Sequence, residues 1–293
     1  MSLLVRRTLA ACAALAVAAP LTTSVAASAA APASSSASSS SGTITVAPSV
    51  ATGAAAGTVA PARKARRTKV RVVTYNIRFG QYGISNLARD IRRTGAEVVL
   101  LQEVDDRRST GGRHQARALA RRLGMNVRYD PNGTVRHGWK RGNAILSTYP
   151  IRKVKRWDLP RSKEQRGLMR ARSDIGQRRL RVWVTHLEPG AGRLRQARAV
   201  RRRIGDPTCT TILGGDMNST PRTREHRVLS THLRDLWARV GDGPGHTNKR
   251  GTARIDYLFF DKARARSAWV APLRHSDHRA LVGNVSFGAR QSC

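Results

Sequence analysis

The chain has 293 residues, 54 of them Lys or Arg and 18 Asp or Glu, for a formal net charge of +36. That length suits one large domain or two small ones, and the charge points to a polyanionic partner, either nucleic acid or an anionic lipid surface. Three cysteines without metal-ligand spacing exclude a thiolate zinc site. Only eight of the basic residues are Lys, and Ala and Gly are also abundant, a bias that a GC-rich genome writes regardless of function. Charge alone leaves both readings open.

Residues 1–60 contain no Asp or Glu, and their only basic residues are Arg6 and Arg7. These two form a short basic region ahead of an apolar run over 9–21, and Ala27-Ser28-Ala29 offers a small-residue cleavage site. The pattern predicts a secretory signal over 1–29 and a secreted, extracellular protein. The apolar run is too short to span a bilayer, so no stable membrane anchor is expected. Residues 30–68 are mostly Ala, Ser, Thr, Gly and Pro and end in a basic cluster, Arg63-Lys64 and Arg66-Arg67. They lack the apolar periodicity that offsets ordering entropy and read as a disordered linker. The folded domain is expected over 69–289. Removing the signal leaves Cys209 and Cys293 in a compartment where disulfides persist, and the two are expected to bridge.

Within that domain, 70–75 is short and β-branched, a strand. Ile84, Leu87, Ala88 and Ile91 fall on one helical face, with Gly95 suited to the C-cap. Residues 98–101 read as a buried strand. Ala116, Leu119, Ala120 and Leu123 make a second helix closed by Gly124. Strands follow at 144–146, 168–175 and 180–187. Leu194, Ala197 and Ile204 suggest a third helix, and 210–213 another strand. Leu229, Leu233, Leu236, Trp237 and Val240 predict a fourth helix ending at Gly241. The last strands are 255–260 and 281–287. Strands outnumber helices and often follow one another directly, so the plan is mixed α/β, with sheets covered by helices. No internal repeat is visible.

Polar residues recur where these strands end: Asn76, Glu103, His186, then Asp216 and Asn218, and Asp277 with His278 before the final strand. Strand ends are rigid places from which side chains can converge. Asp, Glu and Asn oxygens suit a hard cation such as Mg²⁺ or Mn²⁺, with Ca²⁺ possible. Histidines can supply protons or positive charge to a phosphoryl oxygen. Asp256 lies among Ile255, Leu258, Phe259 and Phe260, where a carboxylate needs a partner.

In this order, the stretches Thr74-Tyr75-Asn76-Ile77, Leu101-Gln102-Glu103-Val104, Gly142-Asn143-Ala144-Ile145-Leu146-Ser147, Thr185-His186-Leu187, Gly215-Asp216-Met217-Asn218-Ser219, Arg254-Ile255-Asp256-Tyr257 and Ser276-Asp277-His278 resemble the endonuclease/exonuclease/phosphatase superfamily, which includes deoxyribonuclease I. The resemblance implies two packed mixed β-sheets flanked by helices, a four-layer α/β sandwich with the site at one edge. It implies that Glu103 is the main metal ligand, with Asn76 and Asp277 beside it. Asp216 would position or deprotonate the attacking water, and Asn218 would orient it or the phosphate. His278 would bind the phosphate with its tautomer fixed by Asp256, and His186 would serve the leaving oxygen. The family gives this last histidine a carboxylate partner, for which Asp105, Asp106 and Glu188 are the candidates.

The expected activity is metal-dependent phosphodiester hydrolysis by in-line water attack, by a monomeric nuclease on extracellular nucleic acid. Recognition is expected in the basic loops 107–114, 132–141, 160–166 and 241–251. Arg113, Asn143 and Arg166 are the candidate substrate contacts, and Trp139 is a candidate base-stacking surface. A secreted phosphatase, a sphingomyelinase-type lipid phosphodiesterase and a non-catalytic basic nucleic-acid-binding protein are the rival readings. No protein partner is inferred.

Overall fold

A computed structural model of the chain describes residues 67–106, 114–135, 138–272 and 274–293. The expected signal, all but the last two positions of the expected linker, and Arg113 lie outside the described residues. Strand β1 (Thr68–Asn76) runs parallel to β2 (Val98–Asp105), and α1 (Ile84–Thr94) connects them. Both strands are buried on both faces, which is why they read as near-continuous apolar runs. Val70, Val72, Val98 and Leu100 face the core between the sheets. Val73, Tyr75, Val99 and Leu101 face α1 and α2 (Gln115–Leu123).

The same unit recurs downstream: β7 (Arg178–His186), α3 (Arg193–Ile204) and β8 (Thr211–Asp216) form a second parallel pair with its connecting helix. Antiparallel strands complete each sheet. The first has the order β11 (Arg264–Ala271), β12 (Ala280–Phe287), β1, β2, β4 (Lys140–Ser147), β3 (Asn126–Thr134). The second has the order β5 (Ile151–Asp158), β6 (Gly167–Ile175), β7, β8, β10 (Asp256–Asp261), β9 (Arg234–Asp235). Leu187, Ala197, Val200 and Leu229 pack α3 and α4 (Arg224–Leu229) against the outer face of the second sheet. The layers are therefore helix, sheet, sheet, helix, as the family resemblance implied.

The single helix expected over 229–240 is two helices. Thr223 caps α4, its side chain accepting from the His226 N–H, and the helix ends at Ser230. Asp235 caps α5 (Leu236–Val240) by accepting from the Ala238 N–H. Asp235 is also buried against Arg254, 2.8 Å away, and His226, 3.0 Å away. A buried carboxylate held by two such partners fixes the chain there, so the apolar spacing across it does not continue as helix.

Cys209 and Cys293 are joined by a disulfide, 84 residues apart in sequence. It pins the C-terminus to the starts of β7 and β8: the Arg179 N–H donates to Ser292 Oγ at 2.7 Å and the Cys293 N–H to the Arg179 carbonyl at 3.0 Å. A loop of that length predicts a loss of about 3–5 kcal/mol for the double Cys→Ser variant. Denaturant melts with and without reductant measure it. Activity per folded molecule should be unchanged, because the bridge lies at the strand ends opposite those bearing the polar cluster.

Candidate active site

The two parallel pairs end at the same edge of the sandwich. β1 delivers Asn76, β2 Glu103, β7 His186 and β8 Asp216, and β10 sets Asp256 in register opposite Asp216. Close backbone approach makes this possible. A Cβ on Gly215 would lie 2.0 Å from the Thr185 carbonyl oxygen, so a side chain there would force β8 away from β7 and Asp216 away from His186. Glu103 sits where the β2–β4 register shifts between Leu101 and Val104, with φ of 54°. Such a bulge re-aims a side chain, and a non-glycine residue in the left-handed region carries strain of about 1–3 kcal/mol. Asn218 is also left-handed, with φ of 46°, and its N–H donates to Asp216 Oδ1 at 2.9 Å.

Asp216 is the hub. Its Oδ2 accepts from Asn76 Nδ2 at 3.1 Å and lies 3.2 Å from His186 Nε2 and 3.7 Å from His278 Nε2. Burial alone would push this carboxyl up. His186, His278 and the Asn218 N–H overcome that and hold it well below the usual carboxylate range. Asn76 Nδ2 also donates to Glu103 Oε1 at 3.0 Å, while its Oδ1 accepts the Arg78 N–H at 3.0 Å. The amide therefore presents its NH₂ to two carboxylates and aligns them.

His278 Nδ1 lies 2.8 Å from Asp256 Oδ2, and Thr247 Oγ1 accepts the Asp256 N–H at 3.0 Å. Burial lowers the affinity of His278 for its proton, but Asp256, then Asp216 and Asp277, reverse this and push its pKa up to about 10. Burial raises Asp256 as well, against the pull of His278. The pair thus keeps a proton throughout the neutral range. A histidine raised from about 6.5 in the unfolded chain contributes stability that is full below that pH and lost as pH climbs towards 10. In EDTA, the melting-temperature advantage of wild type over His278→Asn should therefore shrink from pH 6.5 to pH 10. A constant difference across that window would contradict the pairing.

His186 departs from expectation. Its Nδ1 lies 2.8 Å from Arg166 Nη1, and a guanidinium only donates, so Nδ1 accepts and the ring proton sits on Nε2 facing Asp216. None of the three carboxylates proposed as its partner reaches it. Asp105 pairs with Arg141 at 2.7 Å, Asp106 accepts the Lys140 N–H at 3.0 Å, and Glu188 accepts the Gly192 N–H at 3.0 Å. Its carboxylate is Asp216, brought alongside by β7–β8 pairing. Asn218 Nδ2 lies 3.0 Å from the same Nε2 and donates to the Leu187 carbonyl at 2.8 Å.

Asp277 is half-exposed and pairs with Arg78 at 3.3 Å. Its loop is tied down by contacts with no sequence signature. Ser276 Oγ donates to the Asn76 carbonyl at 2.7 Å, and His275 Nδ1 lies 2.9 Å from buried Asp90. Beside Glu103 and His186 opens a cavity of about 470 Å³, lined also by Arg141, Asn143, Arg161 and Arg166. Asn143 is buried and donates to the Gly167 carbonyl at 3.2 Å, while its Oδ1 has no hydrogen-bond partner. Of the four expected recognition loops, 132–141 and 160–166 meet at this cavity. Loop 241–251 does not line this cavity but meets the catalytic pair, through Thr247 on Asp256 and Asn248 beside His278, and 107–113 falls outside the described residues. Trp139 is half-buried and does not line the cavity.

The donors suit a divalent cation in two ways. Glu103 is half-buried at the cavity wall, with one carboxylate oxygen committed to Asn76. Its oxygen chemistry, with Asp277, suits a hard ion. One ligand atom each from Asp216, Asp256 and His278 also lie within 4.8 Å of one another, and Asp256 Oδ1 is buried without a partner. In that trio His278 Nδ1 faces Asp256 Oδ2 at 2.8 Å, which leaves Nε2 as the ring atom turned towards Asp216.

Carboxylates for a cation, a charged histidine and an arginine-lined mouth, carried at one edge of a double-sheet sandwich, define a phosphoester hydrolase of deoxyribonuclease I-like fold. The chain belongs to the endonuclease/exonuclease/phosphatase family, whose profile matches residues 73–278. Members of this family are hydrolases acting on phosphoester bonds and use divalent metals. The chain is similar to an endonuclease/exonuclease/phosphatase from Beutenbergia cavernae DSM 12333, at 25% identity and TM-score 0.66, covering 76% of this chain and 72% of that one. It shares its fold with the human Nocturnin catalytic domain with bound sulfate anion, at 20% identity, TM-score 0.60 and coverage of 75% and 97%. It likewise shares its fold with truncated Caenorhabditis elegans TDP2, at 21% identity, TM-score 0.55 and coverage of 74% and 97%. No curated relative matches the chain by sequence.

Proposed function

We propose that this protein is a secreted nuclease that hydrolyses phosphodiester bonds of extracellular nucleic acid as a monomer. The observation that carries this is the basic cavity at Glu103 and His186, where exposed Arg161 and Lys163 can hold the phosphates of a chain rather than one small ester. The signal-like sequence over 1–29 and the Cys209–Cys293 disulfide both support export. Among the described residues no helix is long and apolar enough to cross a membrane.

Asp216, kept ionised by its donors, accepts a proton from the attacking water, and Asn218 orients that water. His278, kept charged by Asp256, donates to a phosphoryl oxygen as negative charge builds there. His186 faces the leaving oxygen with Arg166 behind it, an arrangement suited to stabilising charge rather than to giving up a proton from Nδ1. Glu103 and Asp277 would hold Mg²⁺ or Mn²⁺, with Ca²⁺ also suited to these oxygens, and Asn76 would keep Glu103 aligned. When bound, that cation neutralises charge on the scissile phosphate.

The test is incubation of the purified protein with plasmid, RNA, a simple phosphodiester and sphingomyelin, in Mg²⁺, Mn²⁺, Ca²⁺ or EDTA. Metal-dependent cutting of nucleic acid is expected. Turnover of sphingomyelin or a phosphomonoester alone would replace the nuclease reading with a lipid phosphodiesterase or a phosphatase. Tight nucleic-acid binding without turnover would make this a binding protein.

A further inference from the structure

A second cavity, of about 570 Å³, which the mechanism does not use, is lined by Arg279, the residue that follows His278. Trp237, Trp269 and Pro244 wall it, with Arg274, Arg279 and Asp242 also lining it. Both indoles are half-buried. Trp237 is held by glycine backbone: a Cβ on Gly241 or Gly245 would fall 2.5 Å from its ring. Trp269 is backed by the Arg71 guanidinium, 5.3 Å from the ring centroid. Arg274 and Arg279 are exposed and form no ion pair among the described residues.

The cavity is joined to the catalytic groups through short backbone links. Arg279 directly follows His278, and its N–H donates to the Thr247 carbonyl at 2.7 Å. Thr247 holds the Asp256 N–H, and Asn248 bridges to His278.

We propose that this cavity is a nucleobase subsite of the catalytic cleft, taking one unpaired base of the substrate against the tryptophans and its phosphate on Arg279 and Arg274. The inference rests on the nuclease reading above. A base offers a flat π-face to an indole, and base–aromatic stacking is tolerant of sequence. A bare phosphate would leave the tryptophans unused. A cationic choline headgroup would be repelled by two arginines. The volume lies within the range of small-ligand sites.

Isothermal titration of the full chain in EDTA with adenosine 5′-monophosphate and with ribose 5-phosphate tests this without requiring turnover. The nucleotide should bind about 5- to 150-fold more tightly, the range that stacking one base supplies. Trp269→Ala should erase that preference, and Arg279→Gln should weaken both ligands while keeping it. Trp237→Ala provides a second route should Trp269→Ala melt early. Equal affinity for the two ligands in wild type, or a preference untouched by both tryptophan variants, overturns the subsite. The nuclease reading fails separately, by an absence of nucleic-acid cleavage in the presence of metal.

Discussion

Glu103→Gln is expected to lower turnover about 10³-fold or more, the several kcal/mol of transition-state charge stabilisation that a bound cation supplies. The glutamine is nearly isosteric, and its amide oxygen can still accept from Asn76 Nδ2, now 3.0 Å from the carboxylate. What is lost is negative charge at the cavity wall. Folding should not suffer, because Asn76 brings two carboxylates, Glu103 and Asp216, to one amide group, and removing one charge relieves their repulsion. The melting temperature in EDTA should therefore hold or rise. Calorimetric titration with Mn²⁺ should show weakened binding alongside the loss of rate. Wild-type rates in excess EDTA, or a variant with intact turnover, would remove Glu103 from the metal-binding role.

The second large effect concerns Asp256 and His278. His278→Ala should cost about 10²–10⁴ in kcat, the usual contribution of a positioned proton donor. Asp256→Asn should cost nearly as much, because its Oδ2, 2.8 Å from Nδ1, keeps the ring charged and turned towards the phosphate position. The two groups act as a unit, so the double variant should be little worse than His278→Ala alone. Stability gives the control. Asp256→Asn should cost some stability near neutral pH, because it leaves the mostly buried His278 without its carboxylate partner 2.8 Å away, so activity is compared per folded molecule. If both single variants keep near-wild-type activity per folded molecule, the pair serves only the sandwich. Strict additivity of the two losses would mean that they act independently.

Much of this was written in the local sequence. The central strands β1, β2, β4, β6, β7, β8, β10 and β12 are legible because their apolar residues must cover one or both sheet faces. Gly95 and Gly124 mark the ends of α1 and α2, each with φ above 60°. The polar residues interrupting those strands at their ends are the ones the structure gathers at one edge. The four strands that periodicity does not predict, β3, β5, β9 and β11, are the edge strands of the two sheets. Edges pair on one side only, so charge replaces alternation, as in Arg152-Lys153-Val154-Lys155-Arg156 of β5, and bulges interrupt β3 and β11.

Tertiary structure alone decided the partnerships. Residues as distant as Asn76 and Asp216, or His278 and Asp256, meet only because β1 and β8 carry their ends to the same edge and β10 pairs with β8. His186 finds Asp216 rather than the nearby Glu188 because β7–β8 register sets them side by side, and a loop arginine takes its other nitrogen. Spacing along the chain encodes which face a side chain takes within its own element. Which side chains share a proton or a cation depends on how separate elements pack, and no local pattern carries that.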